Sequence, residues 1–537
     1  MRNEPVAVEL LRRLQGMRSI RSALESVWLD CFDYSFPMRG NGLFGNKDDA
    51  TSMQAKRARL MDGTTTDAGR TLGAALMSGA TPSNSRWFGL RAGNDTDEEM
   101  AWFDESAETV WENIHASNYD AVGFECCLDM VPAGWFVMYI DVDRDVGGYK
   151  FEQWPIAGCY IAASKPGGAA DTCLRVYELS VEQVVNEFGL KNVSDKTRQL
   201  YEQEKYDEKV QMLHSIYPRR VHVVGALRAR NMPFASVHIE VGEKQAVRES
   251  GYHECPFVAP RWSLVPDSPY AIGPMFDALP DAKQLNRLVY LEDSNAEMAI
   301  CGAWIAEDDG VLNPRTVKIG ARKIIVANSV DSIKPLTTPG NFELSFTKKA
   351  DLQRAIRKTL MADQLQPQDG PAMTATEVHV RVQLIRQLLG PIYGRLQAEW
   401  LQGMVARCFG LAYRAGILTP PPQSLSDREF RVVFINPQAM AQKLEEVSAV
   451  ERTVTSVGAV AAAKGDQAVW DNIDTDEAVR VIGDGLGAPN KIMRPSKAVE
   501  ALREQRAQAE QQAKQQAMQQ EMMQPAAQEI AKNLAAA

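Results

Sequence analysis

A chain of 537 residues with 45% hydrophobic and 24% charged side chains has apolar material for one large core or several small ones, which excludes a disordered chain. Its formal net charge of -10 excludes a protein that grips nucleic acid over its whole surface, so contact with DNA has to be local or sliding. The eight cysteines, Cys31, Cys126, Cys127, Cys159, Cys173, Cys255, Cys301 and Cys408, form no CxxC pair and lie near no histidine cluster, which argues against a zinc site or a disulfide framework. The run Met1 to Pro5 leads into an amphipathic charged stretch rather than an apolar signal segment. No apolar run reaches the roughly 18 to 20 residues that span a bilayer. The reading is a soluble protein of a reducing interior with no membrane partner.

Leu10, Leu14, Ile20, Leu24 and Trp28 recur at mostly helical spacing and predict a helix over 6–28. Two more helices are predicted over 65–79 and 95–115, the second with Asp95, Asp97, Glu98 and Glu99 at the positive end of its dipole. Between Gly134 and Pro260 the pattern changes to short β-rich runs at 135–142, 149–163, 173–179 and 210–217, punctuated by Gly147-Gly148 and Pro166-Gly167-Gly168. Helix returns from Pro274 to Ile300, with Pro280 placed to open the main helix as its first residue. About 20 residues there give a rod of roughly 30 Å.

Cys301 to Gly340 reads as a small excursion with strand-like runs at Val317 to Ile319 and Lys323 to Val326, and a second helix follows over 342–361. Residues 362–373 carry proline and glycine but little that packs, and predict a mobile loop. From Thr374 a very long helix is predicted, with a seam of Val378, Val382, Ile385, Leu389, Ile392 and Leu396 and a kink at Gly390-Pro391. Pro420-Pro421-Pro422 ends it, and a helical region follows from about Pro437, with a tail from Ser496 rich in glutamine and alanine. The fold class is α+β, mainly helical.

No GxxxxGK[ST], HExxH or GxSxG run occurs in the sequence. Gly40 to Gly45 fits GxGxxG by letter, but no strand-like run leads into it and no capped helix follows. Asp141 and Asp143 alternate on a predicted strand, which puts two carboxylates on one face without a third metal ligand. His379, at the start of the long helix, reads as a surface or interface residue. No catalytic residue, metal or cofactor emerges.

The charge pattern of 342–361 is more informative. Arg354, Arg357 and Lys358 share one helical face, Leu352, Ile356 and Leu360 share another, and Lys348 and Lys349 add charge near the start. The basic face suits either a polyanion or salt bridges to Glu292, Asp293 and Glu297 of the preceding helix, and both readings stand.

The run Tyr270-Ala271-Ile272-Gly273-Pro274-Met275-Phe276-Asp277-Ala278-Leu279-Pro280-Asp281 resembles the start of the stem helix in portal proteins of short-tailed bacteriophages, also called head-to-tail connectors. Thr81-Pro82-Ser83-Asn84-Ser85-Arg86-Trp87-Phe88 is similar to that family's early TPxxxxWF element. Met373-Thr374-Ala375-Thr376-Glu377-Val378, then Leu389-Gly390-Pro391 and Arg395-Leu396-Gln397-Ala398-Glu399, resemble its long-helix signature. Ile492-Met493-Arg494-Pro495 with Val499 and Arg503 resembles its C-terminal helical part.

The resemblance implies a portal fold: wing over 1–270, first stem helix over 271–300, clip over 301–340, second stem helix over 341–361, tunnel loop over 362–373, long kinked wing helix over 374–420, and crown with a helical tail over 421–537. It implies a closed ring of twelve copies at a capsid vertex, a virion component assembled in the host cytoplasm, that conducts double-stranded DNA during packaging and ejection. Terminase, the tail adaptor, and the major capsid and scaffolding proteins are the implied partners, and ATP hydrolysis is left to the terminase. Lys348, Lys349, Arg354, Arg357 and Lys358 become candidates to face the DNA channel. Asp363, Gln364, Gln366, Gln368 and Asp369 become tunnel-loop candidates, and Arg315, Lys318, Arg322 and Lys323 become clip docking candidates. A tail or adaptor component, a helical scaffold and a metal-dependent DNA-processing enzyme are the alternatives.

Overall fold

The computed structural model describes residues 6–43, 49–83, 86–92, 96–223, 225, 227–301, 304–306, 333–335, 342–365, 390, 392–425, 431–434, 437–464, 470, 472–486, 499, 501–509 and 511–512. The chain is α+β and mainly helical, and divides into one unit of 1–87 with 108–418 and another of 88–107 with 419–537.

Helix α1 (Val6–Asp33) continues past Trp28, and its Ala7, Leu10, Leu14 and Met17 form one buried stripe. The stripe then departs from the predicted one. Ile20 is exposed, and the core position passes to Arg21, whose guanidinium donates to the carbonyls of Ile156, Ala157 and Cys159 at 3.0, 2.8 and 2.6 Å. A buried cation is tolerated there because Glu25 lies 2.6 Å away and every donor on that side finds oxygen. Helices α2 (Ala50–Ala58) and α3 (Thr64–Ala80) follow, the first capped by the Asp49 carboxylate on Ser52 N. After β1 (Phe88–Arg91), α4 (Asp97–Ala116) opens on a reciprocal cap between Thr96 and Glu99. Helix α5 (Tyr119–Ala133) had no predicted counterpart. It is buried along most of its length, so it lacks the polar face that makes periodicity legible.

The β-rich part contains β2 (Val137–Val142), β3 (Tyr149–Trp154), β4 (Cys159–Ala162), β5 (Thr172–Ser180), α6 (Val181–Phe188), α7 (Asp195–Glu202), β6 (Lys209–Pro218), β7 (Phe234–Glu240), β8 (Gln245–Tyr252) and β9 (Phe257–Val258). Strands β4 to β8 form an antiparallel sheet in sequence order, and β3, β2 and β9 form a second. Alternation sorts the larger sheet. Leu174, Leu213, Val237 and Ile239 meet the α1 stripe, while Met212 and Val247 join Val184, Phe188 and Val193. Between the faces of the two sheets lies a cross-strand histidine pair, His214 on β6 opposite His238 on β7, stacked at 3.9 Å.

The hairpin β10 (Ser263–Leu264) and β11 (Ala271–Ile272) leads into α8 (Met275–Cys301). Tyr270 closes a triangle with Trp28 and Trp135, all three rings 5.3 to 5.6 Å apart, and Trp28 Nε1 donates to Ala271 O at 3.0 Å. Gly273 and Gly134 interlock behind it. Gly134 has φ 78°, and a Cβ on Gly273 would lie 2.2 Å from Val131 O. The glycine that sequence placed just before the helix is therefore a contact between two backbones. Gly273→Ala is expected to cost more than about 1 kcal/mol in urea unfolding, because the backbones must separate.

Helix α8 starts at Met275 and contains Pro280, which corrects the expectation that Pro280 opens it. The proline forfeits one bond in the first turns and leaves the rest of the ladder intact. Its 27 residues give a rod of about 40 Å. The excursion contains β12 (Trp304–Ala306) paired with β13 (Ile333–Pro335), while 317–319 and 323–326 lie outside the described residues. Helix α9 (Phe342–Thr359) returns along α8 and also meets α3. It ends where Met361 takes the left-handed φ of 58°, normally a glycine position. Residues 362–365, predicted as the start of a loop, instead form one helical turn, α10 (Ala362–Leu365), because Ala362 is buried. The rest of that predicted loop lies outside the described residues. A π turn at Gln397–Leu401 then runs into α11 (Gln402–Arg414).

In the second unit β1 pairs antiparallel with β14 (Arg431–Phe434), so residues 88–107 belong with the chain beyond 419. Helices α12 (Pro437–Lys464) and α13 (Thr475–Leu486) pack on each other, and Asp476 receives both ends of the Arg503 guanidinium at 2.6 Å.

Candidate functional site

The site is built on the α8 and α9 pair. Ala278, Ala282, Leu285 and Val289 recur every three or four residues on α8 and are buried, as are Leu352 and Ile356 on α9 and Leu360 just past its end. Burying these faces fixes the rotation of α9 and leaves its other side outward. Arg354, Arg357 and Lys358 are on that outward side and are exposed, as is Lys348.

The salt-bridge reading of the basic face holds for Lys349. Lys349 Nζ lies 3.2 Å from Glu292, which also accepts from Ser345 Oγ at 2.6 Å, so this lysine is a bridge between the helices. Among the described residues Arg354 reaches only Asp351 on its own helix, at 3.2 Å with both side chains mostly exposed, a pair worth about 0.5 kcal/mol or less. Arg357, Lys358 and Lys348 make no ion pair among the described residues. Asp293 and Glu297 are exposed on α8 and make no ion pair with the basic face among the described residues. The same pair of helices exposes Tyr290, Leu291 and Phe346, at 54, 47 and 62%, which the sequence reading did not single out.

Asp363 is exposed on α10, and Gln364 is in the same turn. Gln366, Gln368 and Asp369, the clip candidates Arg315, Lys318, Arg322 and Lys323, His379, and Pro391 of the predicted kink lie outside the described residues; Gly390 is helical.

Among the described residues of the predicted long helix there is a π turn, where Gln402 N bonds Gln397 O. It has no sequence signature, since an extra residue per turn is paid out by tertiary contacts rather than by residue type. Here the contact is Arg261, 3% exposed, which holds both oxygens of Glu399 at 2.6 and 2.9 Å and donates to Gly168 O at 2.7 Å. The long helix is thereby tied to the segment that precedes α8.

Asp141 and Asp143 do not form a shared carboxylate face. Asp141 accepts from Tyr139 OH at 3.0 Å and lies 3.6 Å from Arg407, whereas Asp143 is past the strand end and accepts from the amides of Asp145 and Val146. Those amide bonds hold the Asp143 carboxyl below its usual range. Gly40 is a packing glycine, since a Cβ there would lie 2.7 Å from Phe32 Cβ. Among the described residues no group of three or more histidine, cysteine, aspartate or glutamate side chains is placed to hold a metal, and no helix is long and apolar enough to cross a membrane.

A family model described as bacteriophage head to tail connecting protein matches residues 7–493 of this chain. A portal protein of Salmonella phage epsilon15 is 28% identical over 523 residues, 94% of this chain and 91% of its own length. A probable portal protein of Bordetella phage BPP-1 is 28% identical over 517 residues, with the same two coverages of 94% and 91%. Among solved structures, a chain from the virion of a native gene transfer agent particle aligns at a TM-score of 0.35 and 13% identity, covering 77% of this chain and 90% of that one, a likeness on which nothing below depends. With its model matched from the first helix to beyond α13, the chain belongs to the family of bacteriophage head to tail connecting proteins.

Proposed function

We propose that this connector closes into a dodecameric ring at one capsid vertex and conducts double-stranded DNA during packaging and ejection. Family membership supports it, and one observation carries the conduit: Arg357 and Lys358 stand exposed on α9 with no ion pair among the described residues, beside an Arg354 held only by Asp351. Repeated by symmetry, such residues make circles of positive charge inside an assembly whose copies each carry -10. Phosphate, at about one charge per 1.7 Å of duplex, is drawn locally and repelled elsewhere, so DNA slides without being held.

In this reading 1–270 is the wing, α8 and α9 are the stem, and 301–340 is the clip. Arg315, Lys318, Arg322 and Lys323 meet the terminase motor and then the tail adaptor. Asp363 and Gln364 on the α10 turn lead into the tunnel loop of Gln366, Gln368 and Asp369, Gly390 and Pro391 bend the wing helix, and the crown follows from 421. Major capsid and scaffolding proteins surround the ring in the virion. The ring is not an enzyme, and the energy comes from the terminase.

Arg354→Glu with Arg357→Glu is expected to leave ring yield unchanged and to lower DNA packaging by at least about tenfold, since each copy then repels phosphate where it attracted it. Packaging by these rings at the unsubstituted level would place the channel charge elsewhere.

A further inference from the structure

The five-stranded sheet has two well-anchored loops, one at each end of β6. Beyond Pro218 the chain makes the long connection 219–233 to β7, and its base is fixed. Arg219 donates to the carbonyls of Ala229, Met232 and Ser250 at 2.7, 3.1 and 3.2 Å, and Val223 N bonds Asn231 O at 2.9 Å. This anchored connection nevertheless presents Val221, Val223 and Leu227 at 87, 58 and 98% exposure. Arg220 and Arg228 are exposed beside them and make no ion pair among the described residues. From Arg219 to Ile239 the sequence contains no acidic residue, in a chain whose net charge is -10.

At the other end of the strand, 202–208 carries Glu202, Glu204, Asp207 and Glu208, all exposed and without an ion pair among the described residues. Lys205 and the adjoining Lys209 leave this loop with an excess of negative charge. Its backbone is also held. Val181 N bonds Glu208 O, Glu182 N bonds Tyr206 O, and Lys205 N bonds Leu200 O, at 3.0, 3.2 and 3.0 Å. Tyr206 is 39% exposed and rests on Tyr201 at 5.2 Å.

Strand β6 has 10 residues, so the two loops are about 33 Å apart and do not meet within one chain. A basic apolar tip and an acidic aromatic one at opposite ends of one sheet make a head-to-tail pair of unlike patches, the kind that generates rings when its rotation closes. We propose that the described residues of the connection after β6, Arg219 to Val223 and Leu227 to Pro233, dock in one copy on the 202–208 loop of the next copy. Val221, Val223 and Leu227 cover Tyr206 there, and Arg220 and Arg228 face Asp207 and Glu208. The proposal rests on the ring reading above and assigns it one contact between neighbours. Nucleic acid is the competing occupant of an arginine-bearing loop, but three exposed aliphatic side chains gain nothing from phosphate and gain burial against a protein surface.

The test uses the full chain, with ring formation followed by mass photometry across a dilution series. Arg220→Glu with Arg228→Glu is expected to raise the concentration of half-assembly by about tenfold or more, because like charges then face each other. Asp207→Arg with Glu208→Arg is expected to do the same. All four changes in one chain restore assembly, since every copy carries both halves of the contact. Unchanged melting by circular dichroism separates lost assembly from lost folding. If either pair assembles like the unsubstituted chain, the contact is overturned while the ring stands. If both pairs fail and the fourfold variant does not recover, the loops do not face each other. An unsubstituted chain that forms no ring removes the ring reading and this contact with it. Intact rings whose binding to a DNA duplex is lost on Arg220 and Arg228 reversal would assign the loop to nucleic acid instead.

Discussion

Glu399→Gln is expected to lower the unfolding free energy by about 3–5 kcal/mol, the range for breaking one side of a buried ion pair. Arg261 is 3% exposed and Glu399 10%, and the carboxylate takes two of its guanidinium bonds. An amide in its place leaves a buried charge without its counter-ion, and the π turn loses the interaction that holds it. Replacing both partners by apolar residues, Arg261→Met with Glu399→Leu, is expected to recover most of the loss, since neither charge then needs solvent. Urea unfolding reads both. A loss under about 1 kcal/mol for Glu399→Gln would mean that other contacts set the helix register.

The second large effect is a dependence on pH. His214 and His238 are stacked between the two sheets, with Trp154 and Tyr139 against His214 and Phe188 against His238. Tyr177 OH lies 3.3 Å from His238 Nδ1, and Ser236 Oγ 2.9 Å from His214 Nε2. Arg175 sits over the Trp154 and Tyr177 rings and Arg248 over Phe188. Burial, then the positive charge of Arg248 and Arg175, lowers the His238 pKa to about 3, and burial with its partner ring lowers His214 well below the usual value. Both rings are therefore neutral in the folded chain, whereas the unfolded chain takes up protons below about pH 6.5. Their contribution is complete above that pH and is lost as pH falls from 6.5 towards 3. At pH 5 the loss from His238 is about 2 kcal/mol, and His214 adds to it in the same direction. His214→Gln with His238→Gln is expected to flatten the change in stability between pH 7 and pH 5 by at least about 2 kcal/mol. An unchanged slope would mean that the pair does not titrate on unfolding.

The helices α1, α3, α8 and α9 were legible because each has one buried and one wet face, which leaves a period in the sequence. The basic face of α9 was legible for the same reason, and so was the possibility that Glu292 answers part of it. What sequence left open was which lysine that would be, since Lys348 and Lys349 differ only in the rotation set by Leu352 and Ile356. Helix α5 was missed because burial on most sides erases the period. The pairing of Phe88 with Phe434 and of Arg261 with Glu399 joins segments far apart in the chain, and no local rule reaches that far. Gly273 was seen as part of a motif, but its reason, a backbone contact with Val131 and Gly134, needed the packing of α5.

Electron microscopy of the purified chain distinguishes a DNA-conducting ring from the alternatives. The expected images are closed rings of twelve copies around an open axial channel wide enough for a duplex, with the α8 and α9 pairs lining it. Monomers, open filaments, or rings with no hole along the axis would contradict it.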